Sequence, residues 1–141
     1  MRRTMLLLLL FFVLIPATIA DDTWQDFRYA RVKGELRCNG HPLEAWLFLK
    51  KARETAYDLL IYFTKFGLFD ITAKAFHDGG VWIDENWPGF RVRIHTDCGC
   101  GGDGYFELPL VPLSHQFRWG KDAENSPYDY GIIDIKDCRK T

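Results

Sequence analysis

Four cysteines are the residues of this chain most able to do covalent chemistry, and their spacing is uneven. Cys98 and Cys100 are separated by one glycine, whereas Cys38 and Cys138 lie far to either side. In a short secreted chain, such a set predicts two disulfides. A bridge between Cys98 and Cys100 would close a strained ring. We therefore expect one bridge to Cys38 and one to Cys138, and the choice between Cys98 and Cys100 stays open.

No other set of residues has the spacing of a catalytic or metal site. The cysteines lack the paired C-x2-C knuckles that are typical of zinc sites. The histidines are His41, His77, His95 and His115, and no two have the i, i+4 spacing of a helical metal pair. Ser114 precedes His115, but a bare adjacency does not make an activated nucleophile. The sequence therefore predicts no catalytic residue, no metal and no cofactor.

Aromatic and basic residues on three predicted strands are the strongest candidates for a binding surface. The segments 44–51 and 59–63 carry apolar residues on both faces, and the segment 90–95 alternates apolar residues with two arginines and a histidine. Aromatic residues and arginine dominate the energetically important positions of interfaces. The candidate surface consists of Trp46, Phe48, Tyr62, Arg91, Arg93 and His95.

Structural alternatives stay open for this surface. The aromatic residues could be covered by another segment of the chain or by a second copy of it. The set Arg91, Arg93 and His95 could be an ordinary solvated strand face. It could also be a cationic strip that meets an acidic partner or a lipid head group.

Seven strands are predicted from the alternation of apolar and polar residues, and they would position these side chains. They span 29–38, 44–51, 59–63, 68–75, 90–95, 105–111 and 128–135. Asn39-Gly40 is a strong hairpin signal, so we expect the second strand to return along the first. The polar segment 50–57 has room for one short helical turn. Since no amphipathic helix stands out, the predicted fold is an all-β sandwich of seven to eight strands.

The beginning of the chain has the pattern of a secretory signal peptide. Arg2 and Arg3 precede the apolar run 5–15, and the sequence predicts cleavage after Ala20. The apolar run is too short for a comfortable membrane span. We therefore expect a secreted protein whose mature part, residues 21–141, forms a single domain.

The charge of the predicted mature part argues against a nucleic-acid partner. Without Arg2 and Arg3, 16 basic residues stand against 19 acidic ones, a net charge of about -3. The basic residues are interleaved with acidic and apolar ones rather than gathered in a patch. The expected partner is therefore an extracellular protein or a cell-surface or lipid ligand.

Four motifs, in the right order along the chain, resemble the nematode transthyretin-like family of small secreted proteins. They are GELRCNGHP at 34–42, the glycine, phenylalanine and isoleucine at 67, 69 and 71 after a turn, RIHTDCGC at 93–100, and YDYGIIDI at 128–135. The resemblance implies a transthyretin-like sandwich of two sheets, an extracellular location and a role in binding rather than catalysis.

The same resemblance raises two other functions. Relatives of transthyretin include hydrolases of 5-hydroxyisourate, which have an early histidine and a C-terminal YRGS signature. This chain ends in DCRKT, and no histidine precedes His41. We therefore expect a non-enzymatic binding or adaptor protein. An oligomeric carrier of small hydrophobic ligands is the alternative.

Overall fold

The computed structural model describes residues 27–51, 58–76, 89–99, 104–136 and 139–140. Within these ranges the chain is mostly β-structure. The strands are β1 Phe27–Cys38, β2 His41–Pro42, β3 Ala45–Lys51, β4 Asp58–Thr64, β5 Leu68–Phe76, β6 Phe90–His95, β7 Gly104–Glu107, β8 Tyr128–Ile135 and β9 Arg139–Lys140. A single 3₁₀ turn covers Leu113–His115, and the short helix α1 covers Gly120–Asn125. Each of the seven longer strands overlaps one of the seven predicted strands.

The described strands form two sheets. In the first sheet, β1 lies in the centre, with β5 antiparallel on one side and β8 parallel on the other, while β2 pairs with the end of β1. The second sheet has the order β4-β3-β6-β7-β9, and all its pairs are antiparallel. These two sheets confirm the predicted sandwich at the level of two packed β-layers.

Alternating apolar residues build the core between the sheets. On β3 and β6 the inward positions carry leucine, valine, isoleucine and phenylalanine, and on β1 the inward Val32 and Leu36 are fully buried. One cluster holds the buried residues of both sheets. Because successive side chains of a strand point to opposite faces, this burial leaves the other half of each strand on an outer surface.

The hairpin predicted at Asn39-Gly40 is present but very short. Both residues have positive φ, 49° and 81°, as a two-residue turn between antiparallel strands requires. Only His41 and Pro42 return along β1. The prediction that 44–51 pairs with the first strand is wrong, because β3 lies in the second sheet between β4 and β6. A strand with apolar residues on both faces suits such a central position.

Strand β7 ends earlier than predicted, at Glu107 rather than at residue 111. Pro109 has no backbone N–H to give to a ladder, so regular pairing stops before it. The chain nevertheless stays against β6, since the backbone N–H groups of Leu108 and Val111 donate to Val92 and Phe90 at 2.9 and 3.0 Å.

A disulfide joins the two sheets. Cys38, at the end of β1, is bonded to Cys98, in the turn after β6, with a Cα–Cα distance of 5.8 Å. The structure therefore decides the pairing of Cys38 that the sequence left open. Cys100 and Cys138 lie outside the described residues, as do the predicted signal peptide and most of the predicted helical turn at 50–57.

The described helix lies in a segment for which the sequence predicted no element. Helix α1 buries Ala123 completely and contacts β1 and β5. No helix among the described residues is long and apolar enough to cross a membrane.

Removing the bridge should destabilise the fold. The cross-link spans 60 residues of chain, and the chain-entropy model assigns such a loop about 4 kcal/mol at 25 °C. Cys38→Ala/Cys98→Ala should lower the free energy of unfolding by about that amount, measured by urea denaturation. Cys38→Ser/Cys98→Ser should lose a similar amount, because the cross-link and not the side chains supplies the effect. A loss below about 1 kcal/mol in both variants would contradict this assignment.

Gly67 should tolerate no side chain, in contrast to Gly40. Both have φ +81°, but a Cβ on Gly67 would lie 2.2 Å from the backbone oxygen of Leu36, while a Cβ on Gly40 would meet nothing within 4 Å. Gly40→Ala should cost about 1 kcal/mol from backbone strain alone. Gly67→Ala should cost about 3 kcal/mol or more, because the clash also breaks the 2.9 Å hydrogen bond from Leu36 N–H to the Gly67 carbonyl. Equal losses on thermal unfolding would refute the argument.

Candidate functional site: the outer face of the second sheet

The register of the second sheet places four ring-bearing side chains side by side. Trp46 on β3 lies opposite Phe63 on β4 and opposite His95 on β6, and His95 lies opposite Tyr105 on β7. Paired residues of antiparallel strands point to the same face. We call Phe63, Trp46, His95 and Tyr105 the aromatic row. It crosses four strands on the face of the sheet that points away from the core.

The members of the aromatic row touch one another. The ring centroids of Trp46 and Phe63 are 4.9 Å apart with planes inclined by 47°, and those of His95 and Tyr105 are 6.0 Å apart. Phe48, the next outward residue on β3, packs edge-on against His95 at 4.9 Å. Such tilted and edge-to-face contacts are favourable for aromatic rings.

A second row runs beside the aromatic row and is mixed in character. Phe48 lies opposite Ile61 on one side and Arg93 on the other, and Arg93 lies opposite Glu107. Arg93 donates to Glu107 at 2.9 Å, and its guanidinium group also lies 4.1 Å from the ring centroid of Tyr105. The outer face is thus apolar at the β4 edge and charged toward β7.

Acidic side chains of the same sheet neutralise most of the predicted cationic strip. Arg91 and Arg93 share Glu107, at 3.3 and 2.9 Å. Lys50, which is paired with Arg91 across the β3–β6 ladder, reaches Asp58 at 2.8 Å. Three cations therefore face two carboxylates. The strip therefore retains only a small excess of positive charge.

Tyr62 is the one candidate that the structure separates from the others. It lies opposite the fully buried Leu47, so it points to the inner face of β4. Its side chain borders a groove of about 540 Å³ that Leu68 and Ile132 of the first sheet also line. The charges at this groove are engaged in ion pairs, such as that of Lys33 with Asp129 at 3.3 Å.

His95 is a neutral member of the aromatic row at neutral pH. Partial burial lowers the pKa of its imidazole, and the nearby Arg93 and Lys50 lower it further, against a weaker opposite effect of Asp58. An uncharged imidazole packs against Phe48 and Tyr105 without a desolvation cost for charge.

A pocket of about 300 Å³ lies beside the aromatic row, where β3 begins and β6 ends. Trp46, Phe63 and His95 form its aromatic side, and Glu44 and Asp97 stand at its rim. The Thr96 hydroxyl donates to the Glu44 carbonyl at 3.2 Å and accepts from the backbone N–H of Cys98 at 3.3 Å. This link ties together the two segments that carry the carboxylates.

Sequence reasoning missed several members of this face. Phe63, Ile61, Tyr105 and Glu107 are present in the predicted strands, but their place beside Trp46 and Arg93 depends on which strands pair and in which register. The alternation within 59–63 could have put Ile61 and Phe63, rather than Tyr62, with Trp46. No local signal marks Glu107 as the partner of two arginines.

Neither comparison with known proteins nor the arrangement of metal-binding residue types assigns a function to this site. No protein-family model, no curated protein and no solved structure matches this chain. In the part of the chain that the structure describes, no group of three or more histidine, cysteine, aspartate or glutamate residues is arranged to hold a metal ion.

The lowered pKa of His95 should make stability depend on pH. As pH falls, the His95 imidazole is protonated in the unfolded chain before it is protonated in the folded one. The contribution of His95 to the free energy of unfolding is therefore fully present above the ordinary histidine pKa, about 6.5, and is lost below it. The free energy of unfolding should therefore fall less between pH 7.5 and pH 5 in His95→Gln than in the wild type. Arg93→Gln, which removes one cause of the shift, should give an intermediate slope. Equal slopes for His95→Gln and wild type in urea denaturation would contradict the prediction.

Proposed function

We propose that this chain is a secreted, non-catalytic binding protein with a transthyretin-like sandwich, and that an extracellular protein docks on the outer face of its second sheet. The observation that carries the proposal is a group of large apolar side chains left exposed on neighbouring strands. Trp46, Ile61 and Phe63 keep 50%, 53% and 40% of their surface accessible. Contiguous exposed patches of this kind mark interaction sites.

The composition of the face favours a protein partner over a small hydrophobic ligand. Its apolar part lies beside a charged part in which Arg91, Arg93 and Glu107 are held by ion pairs. Protein–protein interfaces combine apolar and polar surface in this way, and tryptophan, tyrosine and arginine are their usual hot spots. A small apolar ligand would need an enclosing cavity instead.

The transthyretin-like and extracellular parts of the proposal rest on sequence. The four motifs of the resemblance span 34–135, and the arginine-led apolar segment precedes residue 21. The two packed sheets and the Cys38–Cys98 bridge are compatible with such a protein.

Substitution of the exposed apolar residues should weaken partner binding while the fold survives. The immobilised protein is treated with extracellular fluid and cross-linked, and the captured protein is identified. The purified partner is then titrated against the wild-type protein and its variants. Trp46→Ser/Ile61→Ser should weaken its binding about 30-fold or more, as expected when hot-spot residues are removed. A cooperative thermal unfolding transition close to that of the wild type is the check that the variant remains folded.

The matched control changes two exposed apolar residues on the other sheet. Leu68→Ser/Ile132→Ser removes similar apolar surface from the outer face of the first sheet and should leave binding unchanged. Equal effects of the two double variants would refute the proposal. So would a dimer in sedimentation that only Trp46→Ser/Ile61→Ser dissociates, because a second copy of the chain would then occupy the face.

A further inference from the structure

The pocket beside the aromatic row combines two features that recognise a cation. Trp46 and Phe63 present inclined rings 4.9 Å apart, and the faces of such rings carry negative potential. Glu44 and Asp97 add two carboxylates at the rim. Trp46 is half exposed, so its ring remains accessible to a ligand.

These two carboxylates differ from the other acidic groups on the same face. Asp58 and Glu107 are held by Lys50, Arg91 and Arg93. In contrast, neither Glu44 nor Asp97 forms an ion pair with a described residue. Their charge is therefore available to a partner.

Two cations of the sheet, Lys50 and Arg93, act on His95 in the lining of the pocket, but both are engaged by other groups. Lys50 lies four residues along β3 from Trp46, which corresponds to roughly 13 Å of strand. Its ammonium group is held by Asp58 at 2.8 Å. Arg93 is nearer, but Glu107 and the Tyr105 ring hold its guanidinium group. The outer face is thus acidic and aromatic at one end and weakly basic at the other.

We propose that the pocket formed by Trp46, Phe63, Glu44 and Asp97 binds the ammonium group of a lysine side chain on the protein partner. This inference rests on the proposed function, because it names the group by which the partner is recognised. The volume of about 300 Å³ is at the low end for ligand pockets and suits one side chain. Charge complementarity at the rim and cation–π contact with the rings would both favour a cation over an apolar group.

A side-chain analogue tests the pocket without the partner. Nα-acetyl-lysine methylamide is titrated into the protein, with Nα-acetyl-norleucine methylamide as the uncharged analogue of nearly equal shape, and the indole resonance of Trp46 is followed by NMR. The lysine analogue should bind at least about tenfold more tightly. Equal affinity of the two analogues, or no shift with either, would overturn the proposal.

Variants separate the contributions of the rings and the carboxylates. Trp46→Leu should weaken binding of the lysine analogue about tenfold, and Glu44→Gln/Asp97→Asn about fivefold. The control Asp129→Asn, on the first sheet, should change nothing. Because Trp46 is absent from one variant, binding is then followed by saturation transfer to the analogue. A loss caused by Asp129→Asn as large as that caused by the rim variant would assign the effect to net charge and overturn the proposal.

The failures of the two proposals are distinguishable. If the lysine analogue does not bind while the extracellular partner is still captured in a Trp46- and Ile61-dependent way, the lysine assignment is wrong and the docking face stands. If Glu44→Gln/Asp97→Asn weakens both the analogue and the partner, the lysine assignment is supported. Should the analogue bind while no partner depends on Trp46 and Ile61, the docking proposal falls, and with it the assignment of the lysine to that partner.

Discussion

The register of β3 between β4 and β6 is the constraint on which the outer face depends. Leu47 and Leu49 are fully buried, so the strand cannot slip by one residue without moving them to solvent. That burial fixes Trp46 and Phe48 on the outer side. The ladders on both sides of β3 then carry Phe63, His95 and Tyr105 into line with Trp46. The candidate site is therefore a consequence of how the core is filled.

The disulfide connects this core constraint with the rim of the pocket. Cys98 is bonded to the end of β1, and its backbone N–H donates to the Thr96 hydroxyl, which in turn donates to the Glu44 carbonyl. The segment that carries Asp97 is thus held between the two sheets. A carboxylate in such a braced turn loses less conformational entropy on binding than one on a free loop.

The two outer faces of the sandwich differ in how their acidic side chains are paired. On the first sheet, basic residues of β1 pair with acidic ones nearby: Arg31 with Asp70 at 2.7 Å, and Lys33 with Asp129 at 3.3 Å. The hydrogen bond from Arg31 lowers the pKa of Asp70, so that pair remains charged over the physiological range. On the second sheet, exposed aromatic rings lie beside two carboxylates without such pairs. This contrast, rather than any single residue, is the reason why we propose the outer face of the second sheet as the docking surface.

The sequence by itself determined most of the local structure. Period-two alternation placed seven strands, of which 90–95 and 128–135 have the same bounds in the structure, and Asn39-Gly40 marked its turn. Five of the six candidate residues chosen from the sequence lie on one face of the second sheet, namely Trp46, Phe48, Arg91, Arg93 and His95. Only the tertiary structure decided that β3 joins the second sheet, that Tyr62 faces the other way, and that Glu107 pairs with two arginines. The same holds for the pairing of Cys38 with Cys98. Alternation is a property of one strand and is written in neighbouring residues, whereas strand pairing joins residues that are distant in the chain, and it is the packing of the whole core that selects the register.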